Sequence, residues 1–223
     1  MNDFRFYPVV IVGGGYSLTD QQCNFVANRR AANGCRVIVV NNAYRKVPNA
    51  DILYAADFAW WKGHHGVRAH DGLPGVAAVC PDIAKYSCEA ACIRPYGTTI
   101  AKIVPGRGIA PVGSTDIQRG SGGGFQATGL ALSFGARKVI LIGMDCKPGP
   151  KGEKHWHPDH PAPCGQAQPF STWSDEFTSL AGPAAQRGLD IVDCSLDSAI
   201  RMLRKSTIEK ELVPHEARGD VAA

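Results

Sequence analysis

The feature that most constrains this chain is a run of β-branched residues that stops at three glycines: Pro8-Val9-Val10-Ile11-Val12, then Gly13-Gly14-Gly15. A continuously apolar run of this length reads as a strand buried on both faces of a sheet, because a half-exposed strand alternates polar and apolar positions. Glycine at its end lets the backbone turn sharply and approach another group closely. Ser17 is placed to cap a helix from Leu18 to about Ala32, which Asn33-Gly34 closes. Cys35 to Val40 then reads as a second buried strand, ending at Asn41-Asn42. Strand, helix and strand in succession make a βαβ unit, whose strands are parallel.

The alternation continues. A third strand is predicted over Ile52–Ala56, followed by Asp57 and an aromatic helix start at Phe58, Trp60 and Trp61. The stretch from His64 to Gly113 is rich in Pro, Gly and Cys, with short strands predicted at Val76–Cys80 and near Thr98–Val104. Regular patterning returns at Gly120-Ser121-Gly122-Gly123-Gly124, with a helix over Phe125–Phe134 and a strand over Lys138–Gly143 that ends at Met144-Asp145. A loop from Cys146 to about Pro169 precedes a helix over Phe170–Arg187, a strand over Asp190–Asp193, and a charged segment with a short helix near Ile208–Leu212. The expected architecture is α/β: a single Rossmann-like domain over residues 1–204, its mostly parallel sheet covered by helices on both faces. Residues 62–118 form its irregular part, and residues 205–223 a charged C-terminal helix and tail.

Composition narrows the partners. With 223 residues the chain can bury a large core, and its 44% apolar and 20% charged content is that of a soluble globular protein. The net charge of +4 is scattered, with no basic stripe of the kind that tracks a nucleic-acid backbone. Eight cysteines (23, 35, 80, 88, 92, 146, 164 and 194) contain no C-x-x-C pair, which disfavours zinc ribbons and redox motifs. Cys88 and Cys92, four apart, read as two small buried residues. The start lacks a charged-then-apolar signal segment and no long apolar run follows, so the expected location is cytoplasmic, with no membrane partner and reduced thiols.

Ligands of doubly wound sheets sit beyond the carboxyl ends of the strands. Gly13, Gly14, Gly15 and Ser17, Asn41 and Asn42, Asp57, and Asp145 all fall there, while Ser121, Gly122 and Gly123 present the amino end of a helix. These segments are expected to converge on one crevice. The glycine turns at Gly13 and at Ser121 both suit a phosphate, since helix starts carry unpaired N–H groups and partial positive charge. Two such loops suit a nucleotide or nucleotide sugar. A nicotinamide dinucleotide is disfavoured: Leu18 stands at the third glycine of a G-x-G-x-x-G fingerprint, and Asn41-Asn42 replaces the ribose-binding acid. Each turn also has a plainer reading, as a tight βα connection or a flexible linker.

The third constellation is His155-Trp156-His157-Pro158-Asp159-His160. Imidazoles act as general bases or metal ligands, and in an extended segment residues 155 and 157 point the same way. With Asp145 the same residues suit acid–base catalysis or a His/Asp site for Mg2+ or Mn2+, in which His157 and Asp159 would be ligands. A polar surface loop is the bland alternative. Trp60 and Trp61 are expected in packing, His64, His65 and His70 at the surface. Asp57 reads equally as a helix cap or a crevice residue.

Taken as an ordered set, Ile11–Leu18, Val40–Tyr44, Leu53–Asp57, Ser121–Ala127, Gly135–Asp145 and His155–His157 resemble a family of phage and prophage proteins, over about residues 7 to 200. That family is distantly similar to the bacterial sialyltransferases of glycosyltransferase family 42 and to the archaeal-type hydroxymethylpterin pyrophosphokinases. The first likeness implies nucleotide contacts at Gly13, Gly15, Ser17, Asn41 and the Ser121-Gly122 turn, with a loop histidine as base. The second implies metal and phosphate handling at His157 and Asp159. This chain departs from both, with Tyr16 in place of a proline and Pro158 in place of a glycine. Three functions follow as expectations: a nucleotide-dependent, glycosyltransferase-like enzyme in the host cytoplasm, whose acceptor is open and includes a modified DNA base; a metal-dependent pyrophosphokinase or phosphoesterase; or a non-enzymatic nucleotide binder in host–phage conflict.

Overall fold

The computed structural model describes residues 3–106, 108–159 and 170–213. The end of the histidine loop, with His160 and Cys164, and the tail beyond residue 213 lie outside the described residues. In chain order the elements of the first half are β1 (Val9–Val12), α1 (Asp20–Ala31), β2 (Arg36–Val40), β3 (Ile52–Tyr54), α2 (Phe58–His64), α3 (Val76–Val79), β4 (Ala84–Ser87), α4 (Ile93–Tyr96) and β5 (Thr99–Ile100). The second half holds β6 (Lys102–Val104), β7 (Asp116–Gln118), α5 (Gly123–Ser133), β8 (Lys138–Ile142), α6 (Phe170–Gln186), β9 (Asp190–Asp193), β10 (Arg204–Lys205) and α7 (Ile208–Glu211).

The strand that runs into the three glycines lies inside the main sheet, whose order is β10-β9-β8-β1-β2-β3-β4-β5 with every pairing parallel. The chain walks outward from β1 to β5, returns to β8 on the other side of β1, and walks outward again to β10. The direction therefore reverses between β1 and β8. That reversal opens a crevice, because the connections leaving the two strands diverge to opposite faces of the sheet.

Why β1 is continuously apolar is now plain. Val10 and Val12 join a core on one face with Cys23 and Val26 of α1, Trp60 and Trp61 of α2, and Ile208 of α7. Val9 and Ile11 join the other core, with Leu130 of α5 and Phe177 and Leu180 of α6. Alternate residues of one strand feed opposite cores, and all four are 0% exposed. The domain is thus an α/β fold of Rossmann-like form. Residues Arg204–Lys205 and α7 add to it, with Ile208 and Leu212 buried.

Several local expectations change. The cap of α1 is Thr19, not Ser17: Thr19 accepts from the Gln22 amide and Gln22 reaches back, a capping box. Val76–Val79 is a helical turn, not a strand; Val76 and Cys80, four apart, are buried while Ala77 and Ala78 between them are exposed. The strand near Thr98–Val104 is divided, Thr99–Ile100 joining the main sheet and Lys102–Val104 pairing with β7 in a separate two-stranded sheet. His64, expected at the surface, is fully buried and stacks on Trp60 at 4.5 Å. Cys92 is buried and Cys88 half-buried, both as free thiols.

Candidate functional site

The glycine turn after β1 is stitched to the end of β8. Gly13 N–H donates to the Ile142 carbonyl at 2.9 Å and Gly15 N–H to that of Gly143 at 2.8 Å. A Cβ at Gly13 would stand 2.4 Å from the Gly143 oxygen, and one at Gly15 would stand 2.6 Å from the Asp145 carboxyl. These two glycines are required by protein packing. Gly14 is not: a Cβ there meets only His155, at an ordinary 3.6 Å.

Ser17, expected to face a nucleotide, faces Asp145 instead. Its N–H and its hydroxyl donate to the two carboxylate oxygens at 2.8 and 2.6 Å. Asp145 is only 2% exposed. Its burial pushes the carboxyl pKa up, while the Ser17 donors pull it down. The pair locks the two strand ends across the switch point. Asp145 thus reaches the cavity wall with both oxygens already engaged.

The second turn is held from α6. Glu176 accepts from Ser121 N–H at 2.6 Å, from the Ser121 hydroxyl at 2.9 Å and from Gly122 N–H at 3.3 Å. Gln126 donates to the Gly120 carbonyl at 2.8 Å and accepts from the buried Tyr54 hydroxyl at 2.9 Å. The Ser121 and Gly122 amides, expected to bind phosphate, are therefore occupied by an internal carboxylate. The first amide of α5 to find its helical partner is that of Gln126, which donates to Gly122. The helix leaves the amides of Gly123, Gly124 and Phe125 without backbone acceptors, and all three residues line the cavity.

The histidine loop is fastened to the first turn. Trp156 N–H donates to the Gly14 carbonyl at 3.2 Å, and the His155 ring also bonds the Gly14 backbone. The imidazoles of His155 and His157 stack 4.9 Å apart and 9° from parallel, brought to one side by a bent segment and not by the extended one expected. Burial lowers the His155 pKa, against the bond to Gly14. His157 Nδ1 lies 2.7 Å from the Pro158 carbonyl oxygen. A carbonyl can only accept, so Nδ1 carries the proton and Nε2 is the basic nitrogen. Asp159 turns outward to pair with Lys154 at 3.4 Å, and does not line the cavity. Among the described residues no group of three or more His, Cys, Asp or Glu is gathered to hold a metal ion.

Gly13, Gly14, Gly15, Asn41, Asp57, Asp145, His155, His157 and the Ser121–Gly123 turn line one cavity of about 280 Å³, a little below the range of about 300–1,000 Å³ for ligand sites. Asn41 sits at φ 50°, a left-handed conformation uncommon outside glycine, and its Oδ1 is buried without a hydrogen bond. Asn42 does not join them. It is buried and its Oδ1 accepts from Trp60 Nε1 at 3.0 Å, which makes it a packing anchor. Asp57 opens α2 but its side chain makes no capping bond.

The lining residues not singled out from the sequence include Lys147, Lys154, Phe170 and Trp173. Lys147 pairs with Asp197, which also accepts from the Tyr16 hydroxyl. Phe170 and Trp173 meet edge to face at 5.3 Å on the first turn of α6, and a Cβ at Gly122 would lie 3.1 Å from the Trp173 indole. Their spacing of three signals a helix face; nothing in it distinguishes a face lining a cavity from one packing a core. No protein-family model, no curated protein and no solved structure matches the chain.

Proposed function

We propose that this chain is a nucleotide-dependent transferase, glycosyltransferase-like, which takes a nucleotide sugar at the β1–β8 switch point and uses His157 as general base. The observation that carries this reading is the company His157 keeps. An imidazole with its tautomer set by Pro158 shares one small cavity with the open amino end of α5 and two lysines. Aromatic side chains from α6 complete the wall.

The chemistry follows from those parts. His157 Nε2 takes the proton of an acceptor hydroxyl, whose oxygen forms a bond to the anomeric carbon of the donor sugar. The bond from that carbon to the phosphate oxygen breaks, and the nucleotide leaves with the electron pair. The charge that develops on the leaving phosphate is met by the Gly123, Gly124 and Phe125 amides and by Lys147 and Lys154. A modified DNA base is one acceptor of this class.

The test has two stages. Thermal shifts are measured with UDP-glucose, GDP-mannose and CMP-N-acetylneuraminate, each with and without Mg2+ or Mn2+, since ligands of the folded form raise its Tm. His157→Ala is then assayed for donor turnover. It should lower turnover by about 10²–10⁴ while nucleotide affinity stays within about twofold. Unchanged turnover removes His157 from the mechanism, and the absence of any nucleotide-induced shift defeats the reading as a whole.

A further inference from the structure

Two acids reach the cavity wall, Asp57 and Asp145. Asp145 is saturated by Ser17. Asp57 stands at the carboxyl end of β3 with the extended backbone of an N-cap, φ −90° and ψ 134°. An aspartate there ordinarily accepts from one of the first helical amides, a bond of about 1 kcal/mol. Asp57 forgoes it. Asp57 is an exposed residue, and among the described residues no donor or cation reaches its carboxyl, while the neighbouring wall takes enough of its hydration to raise its pKa. The lysines of the cavity do not serve it, since Lys147 pairs with Asp197 and Lys154 with Asp159.

A carboxylate in this position repels phosphate, and with no partner in the described residues it can exchange water for the hydroxyl donors of a ligand. Beside it in the lining stands Trp60, whose N–H is tied to Asn42. What Trp60 offers a ligand is therefore apolar carbon. It offers no open face to a cation either: His64 lies flat on the indole at 4.5 Å, and the residue is only 3% exposed. Cation recognition by an aromatic ring requires that face. An unengaged carboxylate next to an apolar aromatic edge matches the hydroxyl rim and C–H surface of a sugar ring.

We propose that Asp57, with the edge of Trp60, forms a subsite that accepts hydrogen bonds from the vicinal hydroxyls of a sugar. The inference rests on the nucleotide reading above and deepens it. The sugar has two sources, the ribose of the nucleotide or the sugar that the nucleotide carries.

The experiment separates them by titration calorimetry on the full chain and on Asp57→Ala and Asp57→Asn. Because the carboxyl bonds nothing among the described residues, both variants should keep the wild-type Tm. The tightest of AMP, CMP, GMP and UMP is compared with its 2′,3′-dideoxy form, and with the nucleotide sugar of the same base (ADP-glucose, CMP-N-acetylneuraminate, GDP-mannose or UDP-glucose). If Asp57 holds the ribose, the wild type binds the dideoxy form about tenfold more weakly, and Asp57→Ala erases that ratio. If it holds the carried sugar, the nucleotide sugar binds about tenfold tighter than the monophosphate, and Asp57→Ala erases that ratio instead. Asp57→Asn, which keeps one acceptor oxygen, falls between. Tight nucleotide binding with both ratios unchanged in Asp57→Ala overturns the subsite alone. Binding of no nucleotide at all overturns the nucleotide reading and the subsite together.

Discussion

The two glycine turns look alike in sequence and are built for different tasks. At Gly13 and Gly15 the missing side chains make room for β8, and both amides are given to carbonyls of that strand's end. The first turn is a seam between neighbouring strands, with Gly14 as its one outward-looking residue. At Ser121 and Gly122 the amides are given to Glu176, and the helix behind them leaves three more without backbone acceptors, on residues that line the cavity. Clustered glycines therefore say where chains come close, not which amides are open. An anion site depends on the second property, and under the function proposed above it falls to the later turn.

This comparison can be broken most sharply at Gly15. Gly15→Ala drives a methyl into the Asp145 carboxyl and Gly13→Ala drives one into the Gly143 oxygen, both backed by rigid surroundings. Each should cost about 3 kcal/mol or more in urea denaturation, at the upper end of overpacking effects. Gly14→Ala should stay within about 0.5 kcal/mol of wild type and weaken nucleotide binding instead. If all three substitutions are equally mild, the first turn is not a seam.

Glu176→Ala comes next. It leaves two amides and a hydroxyl without their acceptor, and in this partly exposed setting should lower stability by about 1–2 kcal/mol. Nucleotide affinity should fall with it, because the carboxylate holds the turn in which α5 begins. A rise in affinity would mean that Glu176 competes with the ligand for the helix end.

The smallest expected effect concerns the loop tied to Gly14. The folded state resists protonating His155, so its pKa lies below the ordinary 6.5. The unfolded chain then takes up the proton first. The contribution of His155 to stability is whole above pH 6.5 and declines as pH falls through that value toward the folded pKa. Denaturation midpoints of wild type and His155→Gln should converge from pH 7.5 to 5.5; parallel curves would show that the loop does not sense this charge.

The unequal legibility of the chain has physical causes. Strands β1, β2 and β8 were readable because burial on both faces forces long apolar runs. The short strands at Ala84–Ser87 and Asp116–Gln118 were not, because three or four residues with mixed burial carry no period. The cap at Thr19 was in fact written in the sequence, as Thr19-Asp20-Gln21-Gln22, but Ser17 lay nearer the glycines and its partner Asp145 is 128 residues away. The same holds at the site. Gly14, Asp57, His155 and His157 could be proposed from their places at strand ends. That Asn42 packs, that Glu176 occupies the second turn and that Trp173 leans on Gly122 depend on which long-range neighbours arrive, and no local pattern encodes that.

Lys147 and Lys154 each carry a carboxylate of their own at the cavity rim. Beyond the screening length of about 8 Å at physiological ionic strength, such pairs cancel, and the opening projects little field into solution. Approach of an anionic ligand should then owe little to long-range attraction, its rate changing only weakly with added salt. Discrimination is left to the last few ångströms, where each lysine must trade its resident partner for the newcomer.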